Sequence, residues 1–361
     1  MVVIAADRLE RLCLAAFKAA GCPTSEAELA SKFLVLANLR GHDSHGVQRV
    51  PAYIQSIKSG TIKPGAQISI VKESPSTALV DGNWGLGQAT AKRCMELAIE
   101  KASKHGVGIV SVFNCNHIGR LADYAEMAIK KDMLGFLTVN VGLSGPGRPI
   151  SDRGTVAPYG GGKGVLGTNP LCYGIPAGRE QPIIFDMATS IWPIGKVQVA
   201  RARGTRVPDG VMLDGSGKPT NNAADFFGTP RGALLPFGGM VAYKGYGLAL
   251  VVDILSGALS GFGTGLRAHT NGTFMMALNI SYFQPIEEFK AEVDRLIKDC
   301  KGIPIYEGFV GIHGEKEVLV PGDPERMLEE KYRKEGVYVD EPTWDQLIST
   351  AKSFGIDPDK V

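Results

Sequence analysis

At 361 residues the chain exceeds the roughly 250–300 at which one hydrophobic core stops growing, so two sub-domains are expected, sharing a large sheet or not. With 44% hydrophobic and 21% charged residues, the composition is that of a globular enzyme and excludes a disordered chain, a coiled coil or a membrane protein. The 39 basic and 37 acidic residues leave a net charge of +2, too weak a field to hold nucleic acid or an anionic membrane.

In chain order, Leu9, Leu12, Cys13, Ala16 and Phe17 recur at helical spacing, and Gly21 and Pro23 end that helix. Ser25 and Glu28 have the spacing of a capping box for a second helix, with Leu29, Phe33 and Leu36 inward and a stop near Gly41. Val47, Val50, Ile54 and Ile57 predict a third helix, closed by Gly60. After Pro64 short strand patterns stand at Ile68–Val71 and Ala78–Val80. A helix over 88–104 leads to a strand over 108–113, and a helix over 121–131 to a strand over 134–141. This alternation reads as βα units with a partly parallel sheet. The segment 142–167 reads as loop, 183–187 as strand, a long apolar helix begins near Lys244, and 273–280 and 286–297 read as strand and helix. The polar tail from Pro321 reads as helical, packing across the body or onto a partner subunit. The expected division is a helical substrate and dimerisation region at 1–65 and 269–361 around an α/β cofactor domain at 66–268.

Six cysteines are scattered without a CxxC pair, which suits reduced thiols in the cytoplasm. The N-terminus has no basic n-region, and no run of about 18 uncharged apolar residues occurs, so neither a signal peptide nor a membrane span is expected.

Gly162-Lys-Gly164-Val-Leu-Gly167 matches GxGxxG in letters, but a dinucleotide turn of the Rossmann type needs a strand before it and a helix after it. Here glycines precede it and Thr168-Asn-Pro170 follows, so no Rossmann site is expected. Ser44-His45-Gly-Val-Gln-Arg49 is sharper. Ser44 can cap the third helix, with His45 in its first turn and Arg49 four residues on, which sets an acid/base group beside a carboxylate clamp. A helix N-terminus there disfavours imidazolium. The plainer alternative is a capping serine, a packed histidine and a surface arginine. His42 and His45 lack the Cys or Glu partners a metal pair would need. Asn116-His117-Ile-Gly lies between a strand end and a helix start, where α/β sheets gather ligands, although a turn histidine is an equal reading. Gly167-Thr168-Asn-Pro and Phe185-Asp186-Met187-Ala188-Thr offer small polar groups that suit a ribose or a carboxamide. Lys244 opens an apolar helix, an unfavourable place for a cation unless an anion sits there.

Together these pieces, with Asp81-Gly and Gly87-Gln, resemble the malate/L-lactate dehydrogenase family, whose members do not use a Rossmann fold and include ureidoglycolate and sulfolactate dehydrogenases and cyclic imine reductases. The resemblance implies a homodimer with a three-layer α/β core, a large mixed sheet and a non-Rossmann NAD or NADP site. It implies Ser44 and His45 as relay and proton donor/acceptor, with His117 a rival for the proton role. Arg49 and Thr168 would bind the substrate, and His117, Leu121, Ser144, Asp186, Met187, Ala188 and Lys244 the cofactor, with no metal. The implied reaction is hydride exchange with a small 2-hydroxy or 2-oxo acid, or reduction of a cyclic imine. A metal hydrolase using His42, His45 and His117 and a nucleotide-binding protein without turnover are the other classes the residues admit.

Overall fold

Leu9, Leu12, Cys13, Ala16 and Phe17 are all buried on one face of α1 (Ala6–Ala19), as their spacing predicts. This computed structural model describes residues 2–141, 154–202, 204–267, 271–311, 314–358 and 360–361. Ahead of α1 stands a short strand, β1 (Val2–Ile4).

α2 (Thr24–Leu39) differs from its sequence reading in two ways. It starts directly after Pro23 with no side-chain cap, so the Ser25–Glu28 box does not form. Its buried residues include Ala27, Ala30, Leu34 and Val35, whereas Leu29, Phe33 and Leu36 are only half-buried. α2 packs against α1 and two further helices, so no single apolar stripe marks its inner side. The third helix is also shorter than expected. Two 3-10 turns, Asp43–His45 and Val47–Arg49, precede α3 (Val50–Lys58), with extended Gly46 between them. Ser44 therefore caps nothing, and His45 is not in the first turn of α3. Asn38 imposes this shape: its Oδ1 accepts from Val47 N at 2.8 Å and its Nδ2 donates to Asp43 Oδ1 at 2.7 Å.

The middle of the chain forms β2 (Ser69–Glu73), β3 (Thr77–Asp81), α4 (Gly87–His105), β4 (Val107–Cys115), α5 (Ala122–Ile129), β5 (Met133–Val139), β6 (Leu171–Ile175) and β7 (Ile183–Met187). A small lobe follows, with α6 (Ile194–Ala202), β8 (Met212–Leu213), β9 (Pro219–Thr220), α7 (Ala223–Phe226) and β10 (Ala233–Leu234). Then come α8 (Tyr243–Asp253), which runs on as a π turn over Ile254–Ala258, β11 (Asn271–Asn279), α9 (Ile286–Lys301), α10 (Asp323–Glu335), β12 (Val337–Val339) and α11 (Glu341–Lys352).

Seven strands form the main sheet in the order β2-β3-β4-β11-β5-β6-β7. Only β3 and β4 pair in parallel; the other neighbours are antiparallel. β11, from the segment read as mostly helical, is the central strand. Leu137 and Val139 belong to the core under α4 and α5, while Thr138 between them points to the other face and meets Ser256 Oγ at 2.7 Å. Helices α4 and α5 thus cover one face, and α8 with its π turn covers the middle of the other, giving three layers. The C-terminal tail packs on its own chain: β12 pairs with β1, α10 lies on α2, and α11 on α1 and α3. Val337, Val339, Leu347 and Ala351 join Leu9, Phe17 and Leu34 in one core.

Candidate active site

The 3-10 turns bring Ser44, His45 and Arg49 against the β4–α5 loop that carries His117. The two imidazoles stack with ring centroids 5.4 Å apart and 18° between planes. Ser44 Oγ lies 3.1 Å from His45 Nδ1, and Arg49 Nε donates to the Ser44 carbonyl at 2.7 Å. His117 Nδ1 meets the Tyr53 hydroxyl at 2.6 Å, and Gln88 Nε2 donates to that hydroxyl at 3.2 Å. The loop is fixed from below: Asn116 Nδ2 donates to the carbonyls of Trp84 and Gly85, each at 2.9 Å. Gly87 must be glycine, because a Cβ there would stand 2.0 Å from the His117 carbonyl oxygen.

Both histidines are neutral. Burial, then the contact with His117, since the stacked rings resist being charged together, and then the positive field of Arg49 push His45 well below its usual value. Burial, then Arg49, takes His117 down to about 3. The cause at His45 is therefore burial and neighbouring cations, not the helix N-terminus expected from its position. A carboxylate seated on Arg49 would cancel part of that cationic field and return basicity to both rings.

A second group of residues meets at the end of β7. Asp186 Oδ2 accepts from Ala122 N at 2.9 Å, which ties β7 to the first turn of α5 next to Leu121, itself buried. Burial raises the Asp186 carboxyl above its ordinary value against the pull of that N–H. Met187 pairs with Leu171, and Thr189, just beyond Ala188, donates both its N–H (3.0 Å) and its hydroxyl (3.1 Å) to the Thr168 carbonyl. The Thr168 and Asp186–Ala188 clusters are thus adjacent. Gly195 then returns the chain to Ser44, whose Cβ would lie 2.6 Å from a Cβ placed there.

A cleft of about 250 Å3 opens between α5, β7 and α10, lined by His42, Arg120, Ala122, Asp186, Glu325 and Arg326 among others. Arg120 is 5% exposed, and its Nε and Nη1 have no hydrogen-bond partner among the described residues, although Asp123 Oδ1 stands 3.3 Å from Nη1. A buried guanidinium with unmet donors in a cleft suits a phosphate or carboxylate oxygen.

Lys244 is exposed at the second residue of α8 and has no ion-pair partner among the described residues. No direct contact joins it to the histidines. Its helix is tied to the Thr168 loop by Asn169, whose Nδ2 donates to the Ala249 carbonyl at 3.1 Å. Ser144 lies outside the described residues. The glycine run over 162–167 does not open a helix: Leu166 bridges Val156 and β6 begins at Leu171. His42 turns from His45 towards Glu325 Oε1, 3.2 Å away. Sequence reasoning gave no role to Tyr53, Gln88 or Arg120. Tyr53 could have been found four residues after Arg49, on the same face; Gly87-Gln stood among the pieces of the resemblance and Arg120 beside the His117 motif, but neither side chain was marked as part of a site.

Residues 4–348 match the family described as malate/L-lactate dehydrogenase. The chain is 39% identical over 351 residues to a malate dehydrogenase of Pyrococcus abyssi, covering 93% of this chain and 90% of that one. The solved structure of the Methanocaldococcus jannaschii sulfolactate dehydrogenase superposes with a TM-score of 0.86 at 35% identity, over 99% of each chain. That of the Pyrococcus horikoshii OT3 malate dehydrogenase gives 0.86 at 34%, over 99% of this chain and 96% of that one. The match over residues 4–348, with relatives that align along nearly the whole chain, places this chain in the malate/L-lactate dehydrogenase family.

Proposed function

We propose that this chain oxidises a small 2-hydroxy acid of malate or lactate type to its 2-oxo acid, and the reverse, with His45 exchanging the proton and Arg49 gripping the carboxylate. The observation that carries this is the neutral, stacked His45–His117 pair beside Arg49. NAD or NADP, when bound, accepts the hydride from C2. The hydroxyl must lose its proton in the same event, and a neutral imidazole is the base to take it. Ser44 orients His45 from the Nδ1 side, which leaves Nε2 for the substrate hydroxyl. Arg49 spends one N–H on the Ser44 carbonyl and keeps the rest of its planar fork for a carboxylate. Thr168 lines the substrate side. Leu121, Asp186, Met187 and Ala188 border the cofactor, and Lys244 faces its phosphates. No metal enters this scheme.

Two further assignments belong to the proposal. Five of the six cysteines are buried free thiols, which suits the cytoplasm. No helix of the described residues is long and apolar enough to cross a membrane. The exposed apolar side of α8 suits a homodimer.

The test is reduction of NAD and NADP with malate, lactate and sulfolactate as separate substrates. Turnover with at least one of them is expected. Absence of turnover with all three, in folded protein and with both cofactors, would overturn the reading.

A further inference from the structure

We propose that Tyr53 and Gln88 lock His117 in the tautomer with its proton on Nε2, which makes His117 a fixed hydrogen-bond donor and leaves His45 as the one imidazole able to take a proton. The tautomer follows from the hydrogen-bond geometry together with a neutral His117; its use in hydride transfer rests on the function proposed above.

A phenol has a single proton to give. Gln88 Nε2 donates to the Tyr53 oxygen at 3.2 Å, so that oxygen is an acceptor on the Gln88 side. Its own proton then goes to the acceptor 2.6 Å away, His117 Nδ1. The His117 carbonyl, at 3.5 Å from the same hydroxyl, is too far to compete. The opposite orientation of the Gln88 amide would reverse the relay. As it stands, one buried carbonyl oxygen, Gln88 Oε1, has no hydrogen-bond partner among the described residues. Turned round, an NH2 group would be left without one, and buried N–H groups are orphaned more rarely than carbonyls. Tyr53 keeps its proton, because burial pushes its hydroxyl up to about 12. His117 is neutral, so with Nδ1 accepting, its one ring proton is on Nε2.

The frame around the relay is rigid. Tyr53 is 5% exposed and Gln88 fully buried. Gln88 is the second residue of α4, and Gly87 before it lets the helix start press on the His117 backbone. With the His117 lone pair engaged by Tyr53, the uncommitted lone pair of the stacked pair is on His45, whose Nδ1 faces Ser44. With a nicotinamide cofactor bound to take the hydride from C2, the substrate hydroxyl would give its proton to His45 and His117 would keep its own throughout. An Nε2–H aimed at the substrate oxygen would steady the charge that develops there. Tyr53 and Gln88 act through His117 and are positioning residues.

The test is two-bond 1H–15N NMR of the full chain labelled at histidine, with His117 signals identified from a His117→Gln sample. In the wild type, near neutral pH, His117 should show a protonated Nε2 and an unprotonated Nδ1. Tyr53→Phe should collapse that preference towards a mixture, and Gln88→Met should weaken it, offering a second route if the first variant folds poorly. A proton on Nδ1 in the wild type, or an unaltered tautomer in folded Tyr53→Phe, would overturn the proposal. These readouts need no substrate, so they stand apart from any failure of the dehydrogenase reading. With an active substrate, Tyr53→Phe should lower kcat by roughly tenfold to a hundredfold, with a smaller change in KM, the pattern of a misdirected donor.

Discussion

In the proposed reaction Arg49 has two duties that no lysine could combine. Its Nε braces the Ser44 carbonyl, and the rest of the fork would be free for a substrate carboxylate. Arg49→Lys should lower kcat/KM for 2-oxo acids by about tenfold or more. Losing the brace, a half-buried hydrogen bond, should add a stability loss of about 1 kcal/mol, read as a lower Tm on the same preparation. Wild-type kinetics with only a Tm loss would leave Arg49 a purely structural arginine. His45→Ala should reduce kcat by roughly 10²–10⁴ while the cofactor Kd hardly moves. The same pair shapes the response to acid. His117 has a folded value of about 3 against an ordinary 6.5, so below 6.5 the unfolded chain binds a proton that the folded chain refuses. The contribution of His117 to stability is fully present above pH 6.5 and is lost as pH falls towards 3. Between pH 7 and 5, Tm should therefore fall further in the wild type than in His117→Gln; equal slopes would count against a buried neutral histidine. At this scale much was legible, because His45, Arg49 and His117 are few in kind and stand in short motifs. The roles of Tyr53 and Gln88 were not, even with Gly87-Gln in the resemblance, since a buried tyrosine and a buried amide look like core until a partner from another element meets them.

Among the elements, those with a single apolar stripe or an uninterrupted strand pattern were readable. α1 and β4 form where their periodicity puts them. α2 was readable as a helix but not in its face, because three helices surround it. The break after α2 was invisible, since it depends on one asparagine side chain rather than on a turn signature. Asn38 binds Val47 N and Asp43 together while only 3% exposed. Asn38→Ala leaves the Val47 N–H buried without an acceptor, at a cost of about 1–3 kcal/mol. The turns that present Ser44 and His45 should loosen with it. The expected result is a lower urea midpoint together with a fall in kcat larger than any change in cofactor affinity. Unchanged kcat in the folded variant would mean that the turns hold their shape without this clamp.

For the whole molecule, the family fold was legible from motifs in the right order, but the place of β11 was not. A strand that enters the centre of a sheet from more than 130 residues downstream leaves no local trace of its neighbours, β4 and β5. The exposed apolar surface was equally hidden. α8 buries Gly245, Ala249 and Val252 but exposes Tyr243, Leu250, Val251 and Ile254, and Met240 just before it is 98% exposed. On the sheet face, Phe136, Tyr173 and Phe185 line up across β5, β6 and β7 by register, and Tyr173 and Phe185 are themselves exposed. A solvated monomer rarely leaves so much apolar surface open, so a second copy of the chain is the expected cover. Val251→Asp tests this at the middle of the helix. In a lone chain the site is already half open, so folding should shift by under about 0.5 kcal/mol. In a dimer, the carboxylate would be buried without a partner, at a cost of several kcal/mol. Each ~1.4 kcal/mol is a tenfold rise in Kd, so dissociation should strengthen by at least about a hundredfold. Sedimentation velocity over a range of concentrations reads this directly, with the exposed α9 substitution Arg295→Ala as a control for surface changes in general. A wild type that sediments as one chain at all concentrations would sink the dimer. A dimer that Val251→Asp leaves intact would move the interface off α8 and onto another face.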